Sequence, residues 1–265
     1  GFWELTPLRL DAGTRRDDGG RTLLGGSPLR VVRLSDAGAR AVDELAAGRP
    51  VGTDPARQRL ARRLFDTGIA HPVPLATPEL ATTVVVPVRD HADDLRTLLA
   101  ALGGDEPVVV VDDGSADPAE VDAVVAGRAR VLHRPRPSGP AAALVAFVDA
   151  DVVPADGWLD ALRAHFTDPN VAAVAPRVRG RRSDGSVLDR YEEHRSPLDL
   201  GPHPARVAPR GRVAYVPTAC VVFRRTVLDS CGGFDEAMQV GEDVDLVWRV
   251  VAAGHTIRYE PGAVV

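Results

Sequence analysis

The stretch Leu144-Val-Ala-Phe-Val-Asp-Ala-Asp-Val-Val-Pro154 decides how the rest of the chain is read. Five apolar residues run directly into Asp149, Ala150 and Asp151. A short unbroken apolar run reads as a strand buried on both faces, as in parallel sheets. Carboxylates two apart just past such a strand can turn toward one point above the sheet's carboxyl edge, where open α/β sheets bind ligands. Two oxygens converging there suit a hard divalent cation that also carries phosphate oxygens. Read alone, the same acids equally well end a strand and begin a loop.

The flanking sequence has the matching rhythm. Thr82 to Val86 reads as a buried strand ending at Pro87, and Asp90 is placed to cap a helix with Leu95, Leu98, Leu99 and Leu102 on one stripe. Pro107 to Val111 is a second strand, running into Asp112-Asp113-Gly114-Ser115, followed by a helix from Pro118 to Ala126 and a strand Arg130 to His133. Alternating strands and helices predict a parallel sheet with right-handed crossovers. Only residues 134–143 separate the strands Arg130–His133 and Leu144–Val148, fewer than the dozen or more a parallel crossover with a helix takes. Residues are therefore expected to be missing at Ala143/Leu144.

Further on, a helix Gly157 to Phe166 capped by Asp156, a strand Val171 to Val178, and strand-like Val213 to Pro217 and Cys220 to Phe223 are predicted. The polar segment 179–212, with Tyr191, Glu192 and Glu193, reads as a lid or binding segment. Gly232-Gly-Phe-Asp235 is a turn. Gly241-Glu-Asp-Val-Asp-Leu246 opens a helix reaching Ala253, and Thr256 to Glu260 is a strand.

The first 76 residues differ in character. Strands are expected at Phe2 to Leu10, Arg21 to Leu24 and Leu29 to Leu34. Two helices follow, Asp36 to Ala47 capped by Ser35 and another begun by Asp54-Pro55 and ending at Asp66. Three small strands and two helices predict a winged-helix-like α+β domain, 1–76. Pro72, Pro74 and Pro78 form a stiff connector to the domain 77–265.

Composition narrows the function. Of 265 residues, 45% are hydrophobic and 26% charged, which excludes global disorder. The net charge of -5 leaves no basic footprint for nucleic acid. All 32 basic residues are Arg, so no Lys can serve as nucleophile or Schiff-base former. Cys220 and Cys231 lack metal-ligand spacing and are too few for a disulfide framework, which points to a reducing, cytoplasmic setting. No signal peptide and no apolar run of ~20 residues is visible.

Each remaining polar group has a plain reading. Asp112 and Asp113 suit an ordinary strand-to-helix turn, or a carboxylate that accepts from a base N–H or ribose hydroxyl. Glu242 and Asp243 suit a helix N-terminus through the dipole alone. Arg249 is a solvated charge or a phosphate clamp, and Cys220 reads as packing. No HExxH, nucleophile elbow or P-loop is present.

Taken together in order and spacing, Thr83-Val-Val-Val-Pro87, Val108-Val-Val-Val-Asp-Asp-Gly-Ser115, Ala146-Phe-Val-Asp-Ala-Asp151, Gly232-Gly-Phe-Asp235 and Gly241-Glu-Asp-Val-Asp-Leu246 resemble glycosyltransferase family 2 over residues 81–265. The resemblance implies the GT-A fold, a mostly parallel sheet flanked by helices, with inverting transfer from nucleotide sugars. It implies that Pro87, Val88, Arg89, Asp112, Asp113, Asp149, Ala150 and Arg249 bind a UDP-sugar, and that Asp151, helped by Asp149, holds Mn2+ or Mg2+. It makes Asp243 the base and puts Thr218, Ala219, Cys220 and Glu242 at the acceptor. The family's Gly-Pro-x-x-Ala-Arg-Asn helix is represented only by Gly139-Pro-Ala-Ala-Ala143. Enzymes of the family usually run further than Val265, so the resemblance implies that acceptor elements, and any membrane contact at the inner face of the membrane, lie beyond it.

The first module, by its Leu34-Ser-x-x-Gly-Ala-Arg-Ala41 helix start and element order, resembles peptide-chaperone domains that hold precursor peptides by adding a strand. The two modules together resemble family 2 enzymes that add glucose units to a peptide-derived redox cofactor. Polysaccharide or glycolipid synthesis and a non-catalytic peptide-binding scaffold remain open. A nucleotidyltransferase would show a Gly-rich phosphate loop near the first strand, and none is visible.

Overall fold

Valine-rich runs build the centre of the molecule. The computed structural model describes residues 2–74, 76–103, 106–133, 142–180, 197–235, 237–238 and 240–265. Strands β6 (Thr82–Val88), β7 (Val108–Asp112), β8 (Arg130–His133) and β9 (Leu144–Val148) follow five shorter strands of the first module. β6 pairs in parallel with both β7 and β9, and β7 with β8. Successive side chains alternate between faces. Val84, Val86, Val110, Ala146 and Val148 accordingly meet helices α4 (Ala92–Leu102) and α5 (Pro118–Val125) on one face. Fully burying Leu95 or Leu98 there contributes about 1.5–3 kcal/mol each.

The sheet then changes character. β12 (Cys220–Arg224) runs antiparallel to β9 and to β10 (Val171–Arg177). β13 (Thr256–Val264) is parallel to β10 and antiparallel to β11 (Ala205–Val207). The resulting eight-stranded order is β11-β13-β10-β12-β9-β6-β7-β8. Helices α7 (Arg225–Ser230) and α8 (Glu242–Ala252) cover the second face through Val227, Leu246, Val247 and Val250.

Several local expectations are corrected. Asp90 does not cap α4. It takes a left-handed φ of 59°, which Asp tolerates, and its carboxylate accepts from Ala116 N–H at 2.6 Å. The residue before the helix is His91, which makes no side-chain cap bond. Helix α6 (Trp158–Arg163) is capped by left-handed Gly157 rather than by Asp156, and tightens into a 3-10 turn over Ala164–Thr167. Val213 to Pro217 is not a strand, because β11 has taken the pairing along β13. Tyr191, Glu192 and Glu193, and most of the segment before Ala143, lie outside the described residues.

In the first module, α1 (Phe2–Leu5) is a helical turn, not a strand, and its Trp3 ring packs edge-on to Phe65 at 5.7 Å. β1 (Leu8–Leu10) pairs with β5 (Ala70–Pro72), so Pro72 belongs to a strand and the connector starts at Val73. β2 (Arg15–Asp17), β3 (Thr22–Gly25) and β4 (Arg30–Arg33) form a meander that precedes both helices. Helices α2 (Asp36–Ala46) and α3 (Pro55–Asp66) start as expected. Ser35 accepts from Gly38 N–H and Asp54 from Ala56 N–H. Leu23, Val32, Val42, Leu45, Leu64 and Ile69 form the module's core.

The module docks on the β11–β13 edge through buried charges. Arg258 is fully buried, its guanidinium 5.1 Å from the centroid of Phe65, and it donates to His71 Nδ1 at 3.2 Å. Arginine cannot accept, so Nδ1 is the acceptor and His71 donates from Nε2 to Asp11 Oδ2, at 2.8 Å. That tautomer is neutral. Burial is the largest cause of His71's depressed pKa, outweighing the raising bond to Asp11.

A depressed histidine sets the sign of a pH effect. Unfolded His71 takes up a proton near its ordinary 6.5, whereas the folded ring stays neutral to lower pH, so stability falls as pH drops through that window. His165, buried against Glu260, contributes in the same direction. Urea unfolding between about pH 7.5 and 5 should show this loss. His71→Gln, which can still donate and accept, should make the loss shallower. An unchanged slope would rule out the buried imidazole as its source.

Candidate active site

Because β9, β6 and β7 are adjacent and parallel, their carboxyl ends share one edge, with Val88 of β6 paired directly to Asp112 of β7. β12 arrives antiparallel with Cys220 opposite Val148, which brings Thr218 and Ala219 to the same edge. Ala219 C=O accepts from Asp149 N–H at 2.9 Å. A cavity of about 400 Å³ opens here, lined by Pro87, Val111, Phe147, Asp149, Thr218 and Glu242 among others. A second, of about 500 Å³, is lined by Asp149, Asp151, Arg179 and Ala219. Asp149 stands on the wall between them.

Burial, and secondarily the charge of Asp151, pushes the Asp149 carboxyl up to about 6. A partly desolvated acid beside a like charge is the chemistry that a hard divalent cation relieves, and two carboxylates leave its remaining positions for phosphate and water. The donor set therefore fits Mg2+ or Mn2+. Among the described residues no group of three or more His, Cys, Asp or Glu is placed to hold a metal, so the pair would act with non-protein ligands.

The two neighbouring acids of β7 have separate tasks. Asp112 is 3% exposed, and its Oδ1 accepts from Ser115 N–H at 2.9 Å and Ser115 Oγ–H at 2.6 Å. Its Oδ2 lies 3.2 Å from His133 Nδ1, and His133 Nε2 lies 3.1 Å from Asp122. Asp113 is exposed, and its carboxylate has no partner among the described residues, while its N–H donates to Val88 C=O at 2.9 Å. Asp113 is thus free to meet a ligand and Asp112 shapes the turn that presents it.

Comparison with known proteins agrees with this geometry. The family described as "Glycosyltransferase like family 2" matches residues 77–265. The chain belongs to glycosyltransferase family 2. It is 45% identical over 272 residues, 97% of this chain and 57% of the relative, to proteins named "Pre-mycofactocin glycosyltransferase" from two strains of Mycobacterium tuberculosis. The chain thus spans little more than half the length of these curated relatives. It is 28% identical to "O-antigen biosynthesis protein RfbC" of Myxococcus xanthus, over 82% of this chain and 20% of that one. Among solved structures it resembles S. aureus TarS 1-349 with a TM-score of 0.51, 20% identity, and coverage of 70% of this chain and 58% of that one. It also resembles GalNAc-T7 crystallised with UDP, GalNAc and Mn2+, with a TM-score of 0.50, 15% identity, and coverage of 70% and 42%. These likenesses concern the fold, which is GT-A.

Within this family 2 chain, several assignments change. Arg249 does not face the cavities. Its Nε donates to Asp245 at 2.6 Å, one terminal nitrogen to Cys231 C=O, and the other to Gly233 C=O at 2.8 Å. With those donors occupied it clamps the Gly232-Gly233 turn rather than a phosphate. Cys220 is fully buried in the core and burial pushes its thiol far up, so of the four expected acceptor residues Thr218, Ala219 and Glu242 line a cavity and Cys220 does not. The Val88 and Ala150 side chains are also buried in the core, and Val88 C=O already accepts from Asp113 N–H. Pro87 and Glu242 line the larger cavity, and Arg89 is exposed beside it in sequence. Asp113 and Asp243 line neither cavity. Asp243 is half-buried in the first turn of α8, its Oδ1 accepting from Val244 N–H at 2.7 Å. The sequence reading missed Ser115, Asp90 and His133, although an Asp three residues before a Ser is a turn signature.

This division of labour can be measured. Asp112→Ala removes acceptors from a buried Ser115 N–H and from its hydroxyl, and should cost about 2 kcal/mol in chemical denaturation. Asp113→Ala should leave stability within about 0.5 kcal/mol. Equal losses would mean that both acids are structural.

Proposed function

We propose that the chain catalyses inverting, metal-dependent transfer of a hexose, glucose from UDP-glucose, onto the precursor of a peptide-derived redox cofactor, mycofactocin, building a β-linked oligosaccharide. The observation that carries the reaction class is the half-buried Asp149 beside Asp151, at the edge where β9 ends and two cavities meet. The acceptor follows the names of the 45% identical relatives.

In this reading Asp113 accepts from the uracil N–H, with Pro87 and Arg89 alongside. Asp149 and Asp151 hold the divalent ion, which supplies Lewis-acid neutralisation of the diphosphate leaving group. Thr218 and Ala219 floor the acceptor site and Glu242 orients the acceptor. Asp243 takes the acceptor hydroxyl's proton as that oxygen attacks the anomeric carbon opposite the diphosphate. The new C–O bond forms while the sugar–phosphate bond breaks, and UDP leaves with the electron pair. Edge strand β4, with Val31 59% exposed and Leu29 just before it 71% exposed, supports a precursor peptide added as a further strand.

The similarity to an O-antigen biosynthesis protein favours a second acceptor class, polysaccharide or glycolipid. A donor panel with Mn2+ or Mg2+, read by UDP release with and without the cofactor precursor, separates the two. Stimulation by the precursor supports the first, and stimulation by a lipid-linked sugar alone rejects it.

Asp243→Asn should keep UDP-glucose affinity and lower transfer by about 10²–10⁴-fold. Loss of transfer in Glu242→Gln, with Asp243→Asn still active, would move the base to Glu242. Chelation should abolish turnover, and Asp151→Asn should weaken metal-dependent donor binding. Unchanged affinity in that variant would place the ion elsewhere.

A further inference from the structure

One segment, Arg212 to Ala219, touches three parts of the molecule. At its start, the Arg212 guanidinium donates to Asp11 Oδ2 at 3.2 Å and to Pro204 C=O at 2.7 Å, and Arg212 N–H donates to Ser27 Oγ. Asp11 and Ser27 belong to the first module. In the middle, Ala214 C=O accepts from the indole N–H of Trp248 on α8 at 3.0 Å, while Val213 and Val216 are buried at 2% and 1% exposure. At its end, Thr218 lines the larger cavity and Ala219 C=O holds Asp149 N–H.

Residues 212–219 form no strand of their own before β12 begins at Cys220, and Val213 C=O also accepts from Ala208 N–H at 3.1 Å. These anchors and the start of β12 set the segment's position. Asp11 cannot swing away from Arg212, because it is buried and also held by His71 at 2.8 Å and Gly13 N–H at 2.9 Å. The neighbouring strand is tied to the module as well, since Arg206 on β11 donates to Asp66 C=O at 3.0 Å.

We propose that Arg212 is a positioning residue: docked on Asp11 and Ser27, it makes the first module a fixed support for the acceptor wall of the active site. The inference rests on the transferase reading for its catalytic consequence, and on geometry alone for its structural one. Losing the Arg212 anchor lets Thr218 drift while the bulk of the donor site, built on β6, β7 and β9, stays in place.

The test uses the whole chain with UDP-glucose, Mg2+ and the cofactor precursor. Arg212→Ala should raise the acceptor KM about tenfold, because small misplacements at a reacting centre are costly. Donor KM and the slow hydrolysis of UDP-glucose by water should stay within about twofold. Arg212→Lys, which keeps the charge without the fork, should recover part of the loss. Hydrogen exchange at the Asp149 amide should speed up in Arg212→Ala. Trp248→Phe, which frees the segment from α8, should give the same KM split if Arg212→Ala fails to fold. An unchanged acceptor KM, a donor KM rising in step with it, or unchanged exchange at Asp149 would overturn the proposal. Wild-type chain that never turns over UDP-glucose would instead defeat the transferase reading, with the exchange measurement still deciding the structural claim.

Discussion

Asp149 and Asp151 stand two residues apart where a strand packed on both faces runs out, and they cannot retreat. Leu144, Ala146 and Val148 are fully buried, and five consecutive pairings with β12 fix the register of β9. A slip by one residue would turn every one of those side chains to the other face. The Asp149 amide is held by Ala219, so the backbone is pinned on the far side as well. The like-charge repulsion and lost hydration that push Asp149 up to about 6 are therefore built in by packing. In the proposed reading a cation with its phosphate ligands would relieve that strain, which would make metal and donor one binding problem.

Several other charged groups near this edge carry no such tension, because protein partners already hold them. Asp112 holds Ser115 and faces His133, Asp90 holds Ala116, and Arg249 grips two carbonyls and Asp245. These groups set the shapes of the loops. Asp113, Asp149, Asp151 and Glu242 accept no hydrogen bond at their side chains among the described residues, and these are the acids that a ligand can engage. Motif membership does not separate the two kinds, since Asp112 and Asp113 share one motif. Satisfaction does.

That distinction also explains what could be read from residues alone. The strands of the central sheet were legible because β-branched runs such as Thr83–Val86 and Val108–Val111 have few alternatives, and α2 and α3 because Ser35 and Asp54-Pro55 mark their starts. The acidic tips of β7 and β9 were legible from their place after such runs. Strand β2, Arg-Arg-Asp, carries no apolar signal at all, and β5 was hidden by its own proline. Neither β11 nor α7 has enough period to be seen, since each is fixed by tertiary pairing. Arg249 was legible in principle: Asp245 stands four residues before it, the spacing of a helix ion pair. The role of Asp243 rests on resemblance, and that it lines neither cavity is something that no residue pattern encodes.

The contact between the two modules follows the same logic. Hydrogen-bonded charges are more directional than apolar contact, although Arg258 Nε and Nη1 are buried without a hydrogen-bond partner among the described residues. Arg258 is held by the face of Phe65 and by His71 Nδ1, and burial pushes it down to about 10, so it remains charged at neutral pH. His71 must then accept from Arg258 and donate to Asp11, and Asp11 has its other side on Arg212. Each partner in this relay dictates the protonation and direction of the next. Burying such a chain costs hydration and gives modest net stability. What the chain of contacts supplies is direction: it ties the module to β11 and β13 through Arg206 and Arg258, and to the segment that begins at Arg212.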